Sequence, residues 1–181
     1  MTKRIVVIVC ALSWVLASAI LALAQQSGPK PGPEHQKLAP FAGTWTFEGE
    51  MKQSAMSQGG KISAIDTCEW FQGGFAIVCH SDKQGPMGPT KSLSILAYDR
   101  AKQLYTYLGI NSFGTPVYST GTVEGDTWTY TSVSDMGGKP MQTRVVIELT
   151  TPTSYTYTLG VSSDGSPWMT MLVGTGTKTG P

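Results

Sequence analysis

The feature that most constrains this chain is a two-residue alternation of side chains that runs through most of its length. It is clearest in residues 127–131, 143–149 and 155–161. A period of two is typical of β-strands that bury one face, whereas no convincing helical period is found after Ala42. The sequence therefore predicts an all-β domain.

Turn-forming residues interrupt the alternation at short intervals. They stand at 58–60, 72–74, 85–86, 99–102, 113–114, 124–126, 136–140, 151–153 and 163–165. These nine breaks separate ten strands, and loops this short join neighbouring strands in antiparallel fashion. About ten consecutive antiparallel strands hide their edges most simply by closing into an up-and-down barrel. A two-sheet sandwich is the alternative.

Residues 1–24 have the three parts of an export signal. Two basic residues, Lys3 and Arg4, precede an apolar stretch, which ends in the small-residue pattern Ala22-Leu23-Ala24. We expect cleavage there and a periplasmic or secreted protein. A retained membrane anchor is the alternative, since the apolar stretch is just long enough to span a bilayer.

The remaining chain is expected to form one domain. A flexible linker rich in proline and glycine is predicted over residues 25–33, and a single barrel domain over residues 34–178. The barrel begins with a short N-terminal helix within residues 34–41.

Composition narrows the possible functions. The chain has 13 Lys and Arg against 12 Asp and Glu, a net charge of +1, which argues against a surface for nucleic acid. A hydrophobic fraction of 40% excludes wholesale disorder. The only histidines, His35 and His80, are too few and too far apart for a zinc site, so we assign no metal and no cofactor. No membrane contact is expected after signal cleavage.

Cys68 and Cys79 are the two cysteines outside the signal segment. Folding the chain at residues 73–74 places them opposite each other, and an exported domain normally oxidises such a pair. A two-residue turn would put them at a hydrogen-bonded site, where the β-carbons are farther apart. A four-residue turn, residues 72–75, would give the closer geometry that suits a disulfide. A redox or metal-binding role is the alternative.

Aromatic side chains in the strands are the best candidates for ligand contact. A ten-stranded barrel is wide enough to hold a cavity, and aromatic walls with a few hydroxyls suit a small hydrophobic or amphipathic ligand. Alternatively, these rings only fill the interior. The candidate ligand-binding residues are Trp45, Trp70, Tyr107, Trp128, Tyr130, Tyr157 and Arg144. Trp168 is also assigned to a strand.

The position of Arg144 depends on which strand face is inside. If Val145 faces the interior, Arg144 and Glu148 form a solvated surface pair of little energetic value. If the faces are reversed, Arg144 points inward and could bind a ligand carboxylate with two hydrogen bonds.

Two groups of residues carry a family resemblance. Gly43-x-Trp45 opens the first strand after a short helix and resembles the G-x-W entry of calycin barrels, such as lipocalins, fatty-acid-binding proteins and nitrobindins. Segments 68–74, 96–99, 105–109, 121–128 and 154–157 resemble the DUF1579 family of exported bacterial proteins of unknown function. The resemblance covers residues 34–178 and implies a lipocalin-like barrel, without an established ligand or reaction. The late histidine that binds haem in nitrobindins has no counterpart after His80.

These observations predict a non-catalytic, exported barrel that binds a small ligand. The sequence contains no nucleophile motif, no evident pair of carboxylates and no phosphate-binding loop, so we assign no catalytic residue. One alternative is a barrel enzyme that uses a buried tyrosine, His80 or Glu69 as acid or base. The other is an interaction domain of the cell envelope, with a solid core and its function on the loops.

Overall fold

The computed structural model describes residues 28–54, 57–135, 138–163 and 165–181. Helix α1 spans Pro33–Gln36 and a 3-10 turn spans Ala39–Phe41. No helix within the described ranges is long and apolar enough to cross a membrane. The predicted export signal and the first residues of the linker lie outside these ranges, so both stay predictions.

Ten strands follow the two short helices. They are β1 (Gly43–Met51), β2 (Gly60–Trp70), β3 (Ala76–Gln84), β4 (Thr90–Asp99), β5 (Leu104–Asn111), β6 (Pro116–Glu124), β7 (Thr127–Asp135), β8 (Pro140–Thr151), β9 (Ser154–Ser163) and β10 (Met169–Gly180). Each strand pairs antiparallel with its neighbours in sequence, and β10 also pairs with β1. The sheet is therefore a closed barrel, as predicted, and each predicted turn lies where one strand ends and the next begins.

The barrel end that holds the start of β1 is filled with large side chains. The buried residues there, which we call the closed-end cluster, are Leu38, Phe41, Cys68, Ile77, Cys79, Leu96, Tyr105, Trp128 and Tyr130. The rings of Tyr105 and Trp128 lie 4.6 Å apart, and those of Phe41 and Trp128 lie 5.0 Å apart. Because Leu38 and Phe41 come from the segment before β1, that segment closes this end of the barrel.

Polar and aromatic contacts fix the entering segment in place. The Tyr105 hydroxyl donates to the backbone carbonyl of Glu34 at 3.0 Å and to its carboxylate at 2.8 Å. His35 is buried with its ring edge-on to Phe75 at 5.1 Å. Gly43 has φ +113°, a conformation that favours glycine, and this allows the sharp entry into β1.

Neighbouring side chains stabilise the ionised form of Glu34. Hydrogen bonds from Lys37 and Tyr105 lower its pKa below the ordinary value. The carboxylate is solvated, so its contacts with the barrel guide the entering segment more than they stabilise the fold.

The two cysteines form the predicted disulfide. Cys68 and Cys79 are directly paired on β2 and β3, and their sulfurs are bonded. The backbone N–H of Phe71 donates to the carbonyl of Ala76 at 2.9 Å, which leaves residues 72–75 as a four-residue turn. Counting outward from that bond places the cysteines at a non-hydrogen-bonded site, the closer of the two geometries.

A second cluster of side chains lies farther along the barrel. We call it the open-half cluster; Phe47, Ala64 and Leu172 are buried in it, with Met51, Ile62, Tyr155, Tyr157 and Leu159 packed against them. The Tyr155 ring lies close against Gly176, its direct partner on β10, and a β-carbon at that glycine would overlap the ring. The absence of a side chain at Gly176 is therefore what lets the ring lie along the wall.

We predict that replacing both cysteines, Cys68→Ser with Cys79→Ser, lowers the free energy of unfolding. The bridged residues are 11 apart in sequence, so the loss is about 2–3 kcal/mol by the loop-entropy relation. Urea unfolding of the double variant measures it, with reduced wild-type protein as the matched control. Equal midpoints for the oxidised wild type and the double variant would contradict the prediction.

We further predict that Gly176→Ala destabilises the barrel by about 1–3 kcal/mol, because Tyr155 must leave its position against the wall. Gly160→Ala is the matched control: a β-carbon there meets Trp168 at an ordinary 3.5 Å. Urea unfolding compares the two variants. The explanation is wrong if both lose the same stability.

Candidate functional site

Several inner side chains of the barrel are only half-buried. Asp66, Tyr107, Tyr155, Tyr157 and Leu159 all lie on the inner face of their strands and keep partial exposure. Nine buried residues form the closed-end cluster, whereas three form the open-half cluster. The interior is therefore more fully packed at the closed end.

A cavity of about 160 Å³ opens at that other end, where β2, β3, β4 and β5 meet the loop 85–89. We call it the mouth cavity. Its apolar lining is Met51, Ile62, Pro86, Met87 and Phe113, and its polar lining includes Lys83, Gln84, Thr90, Ser92 and Asn111. The combination of apolar side chains with a few polar groups is the composition of a small-molecule site.

Small polar residues form the inner wall between the mouth and the closed end. Ser81, Ser94 and Ser119 are buried on β3, β4 and β6. Ser94 pairs with Gly109 and forms a side-chain hydrogen bond with Tyr107. Because serine and glycine occupy little volume, the side chains of this wall reach only a short way into the interior, and the Tyr107 ring lies against Gly109.

Burial raises the pKa of the inner tyrosines. For Tyr155 and Tyr157 loss of hydration is the largest cause, and the negative charge of Asp66 adds to it. Burial also raises the pKa of Tyr107, against which the hydrogen bond from Ser94 acts. All three hydroxyls therefore stay neutral at physiological pH and can both donate and accept hydrogen bonds.

The hydroxyl of Tyr130 is buried and has no hydrogen-bond partner among the described residues. Burial is the cause of its raised pKa. Buried hydroxyls are normally hydrogen-bonded, so an unpartnered one needs an explanation. It lies on the inner face of β7, with its ring 6.4 Å from that of Tyr107, and is enclosed by the closed-end cluster.

The structure divides the predicted aromatic residues into two groups. Trp45, Trp128 and Tyr130 are buried at 2%, 2% and 4% exposure, and the Trp45 indole N–H donates to the carbonyl of Phe41 at 3.2 Å. These three are packed core residues. Trp70, Tyr107 and Tyr157 are half-buried on the inner face; Trp70 and Tyr107 pack against the closed-end cluster and Tyr157 against the open-half cluster.

Arg144 is not part of the interior. It pairs with Thr131 on the outer face, whereas Val145 pairs with the inward Tyr130. Its guanidinium lies 4.3 Å from the ring centroid of Trp168, and it does not form the expected ion pair with Glu148. The inward interpretation is therefore wrong, and so is the strand assignment of Trp168, which precedes β10.

The acid–base candidates outside the tyrosines also lie away from the cavity. Glu69 and His80 are exposed and alternate with inward residues on β2 and β3. Among the described residues, no three His, Cys, Asp or Glu side chains come together in a way that could hold a metal ion.

Sequence reasoning missed Asp66 and Lys83 as inward residues. Both could have been found from the cysteine pair, because the inner face of β2 includes every second residue counted from Cys68, and that of β3 every second residue from Cys79. Ser81 lies on the same face of β3 by this rule.

Comparison with known proteins gives a family and a fold. A family model described as "Protein of unknown function (DUF1579)" matches residues 30–178. No curated protein matches the sequence significantly. The crystal structure of Rv2717c from M. tuberculosis is similar with a TM-score of 0.57 at 14% identity, over 82% of this chain and 98% of that one. The S-type phycobiliprotein lyase CPES from Guillardia theta is similar with a TM-score of 0.54 at 10% identity, over 81% and 92%. Both likenesses show a shared barrel fold.

We predict that the inner tyrosines make the protein sensitive to alkali. In the unfolded chain they ionise near pH 10, whereas burial raises their pKa values in the folded protein. Their contribution to stability is complete below about pH 10 and is lost as the pH rises towards the folded values. The measurement is the urea midpoint at a series of pH values between pH 8 and pH 11.5. In Tyr155→Phe the midpoint should fall less steeply with rising pH than in the wild type. An unchanged slope would argue against a buried, neutral Tyr155.

Proposed function

This chain belongs to the DUF1579 family, whose function is unknown, and we propose that it is an exported, non-catalytic barrel that binds a small hydrophobic or amphipathic ligand. One observation carries the proposal: inner side chains of the open half are only half-buried, and the mouth cavity opens at the far end of the barrel. A barrel whose only task is structural gains stability by filling such a space with side chains.

Apolar contact supplies the driving force for binding. The rings of Tyr107 and Tyr157 and the side chain of Leu159 keep part of their surface in water inside the barrel. A ligand that covers this surface gains about 25 cal/mol for each Å² of apolar area removed from water. We therefore assign ligand contact to Tyr107 and Tyr157, whereas Trp70 packs against the closed-end cluster and Trp45 and Trp128 are buried core residues.

Polar groups in the interior favour a ligand that also has hydrogen-bonding atoms. Asp66 and the tyrosines Tyr107, Tyr155 and Tyr157 are half-buried on the inner face, and the negative charge of Asp66 acts on all three hydroxyls. Hydrogen bonds from such groups orient a ligand but add little net binding free energy, because they replace hydrogen bonds with water.

The disulfide supports the proposal that the barrel works outside the cytoplasm. A structural bond such as Cys68–Cys79 persists in oxidising compartments and is rare where thiols are kept reduced. Together with the predicted signal over residues 1–24, it favours a periplasmic or secreted protein.

A second candidate function is an interaction domain of the cell envelope. It is favoured by apolar side chains on the outer face of β4, β5 and β6, where Leu93 pairs with Ile110 and Leu108 with Tyr118. All four are at least 39% exposed. Such patches on a protein surface often mark contacts with a partner.

N-phenyl-1-naphthylamine, an uncharged dye that fluoresces in apolar surroundings, tests the primary proposal. We predict saturable binding to purified protein, and loss of most of that binding in Ser92→Phe, which fills the mouth cavity from β4. Ser63→Phe is the matched control, because it adds the same ring to the exposed outer face of β2.

The comparison is made on variants that unfold cooperatively in urea. If Ser92→Phe still binds the dye as the wild type does, the binding site is not in the mouth cavity. No saturable binding by the wild type would favour the interaction domain instead.

A further inference from the structure

We propose that the mouth cavity selects amphipathic anions, with Lys83 binding the negatively charged headgroup. The inference rests on the proposed function and adds the chemical class of the ligand. It depends on three properties of Lys83: the direction of its side chain, the residues around it, and the lack of a counter-ion among the described residues.

Lys83 points towards the interior of the barrel. It follows Ile77, Cys79 and Ser81 at two-residue spacing on β3, and those three side chains are all buried. Its direct partner on β2 is Ala64, which belongs to the open-half cluster. Lys83 itself is half-buried and lines the mouth cavity.

Lys83 is the one charged residue in the lining of the mouth cavity. The ion pairs within the described residues join Lys37 to Glu34, Lys52 to Glu50, Lys91 to Asp82 and Lys102 to Asp99, and none includes Lys83. Asp82, the preceding residue, faces outward and is paired with Lys91. Asp66 lies on the inner face of β2, and its charge acts on Tyr155, but it forms no ion pair with Lys83.

A lysine in an apolar lining, without a counter-ion among the described residues, favours an anion. An anionic headgroup that binds its ammonium group forms a charge-assisted hydrogen bond. Met51, Ile62 and Phe113 surround it with apolar surface on which a hydrocarbon portion can pack. A cation of the same shape is repelled, and a neutral analogue gains only the apolar part.

The size of the mouth cavity limits the apolar portion. Its volume of about 160 Å³ is close to that of an engineered cavity that holds benzene. A single ring or a short alkyl chain therefore fits, and a longer tail, or the further rings of N-phenyl-1-naphthylamine, has to extend beyond the cavity past half-buried inner side chains such as Tyr157.

Octanoate, 1-octanol and octylamine share one chain and differ in headgroup, so they test the inference. We expect wild-type protein to bind octanoate most tightly and octylamine least. Lys83→Gln should weaken octanoate binding about tenfold and leave octanol binding unchanged, as loss of one hydrogen bond to a charged group predicts. Displacement of N-phenyl-1-naphthylamine measures all three affinities.

Lys61→Gln is the matched control. Lys61 lies at the same end of the barrel, on β2, but is exposed on the outer face. The Lys61→Gln variant loses the same charge as Lys83→Gln. Equal weakening of octanoate binding in both variants would therefore indicate a general attraction between the protein and anions, and would overturn the inference. Lys83→Met, which keeps the apolar stem of the side chain, replaces Lys83→Gln if the latter does not fold.

The outcomes separate the two proposals. If octanol and octanoate bind equally and Lys83→Gln changes neither affinity, the anion preference is wrong while ligand binding stands. If neither compound nor the dye binds the wild type, the proposed function itself is wrong.

Discussion

The pleat of the strands is the constraint on which the rest of this structure depends. Successive side chains must point to opposite faces, so closing the sheet into a barrel commits half of every strand to a confined interior. What that interior contains then varies along the barrel axis. Near α1 it holds indoles, phenols and leucines in close contact, and towards the far end it holds serines, glycines and half-buried rings.

This gradient separates stability from binding. The closed-end cluster and the disulfide hold the strands together where the entering segment covers the barrel. The open half can therefore keep an incompletely filled wall without loss of the fold. Gly176 contributes to the same division, because the ring of Tyr155 lies along the wall there and not across the interior.

The strands and their closure could be predicted because turn chemistry and alternation are local signals. Which face of each strand points into the barrel is harder to predict. Alternation alone is unchanged when a strand is turned over, so Arg144 and Val145 could not be assigned until the register joined them to Tyr130. The alternation also does not show how far along the barrel axis a residue lies. The buried Trp128 and the half-buried Tyr107 are therefore equivalent as ligand contacts in the sequence. Lys83 was overlooked because a single lysine in a strand is usually solvated on the surface.

The pairing of β1 with β10 has a consequence for how the protein is made. Contacts such as that from the Thr46 hydroxyl to the Thr177 carbonyl join residues 131 positions apart, so the first strand waits for the last one before its second edge is covered. During synthesis and any later passage between compartments, the unpaired edge of β1 is open to pairing with other chains. A barrel of this connectivity therefore matures slowly and late, and chaperones that shield strand edges would be of most use to it before the tenth strand arrives.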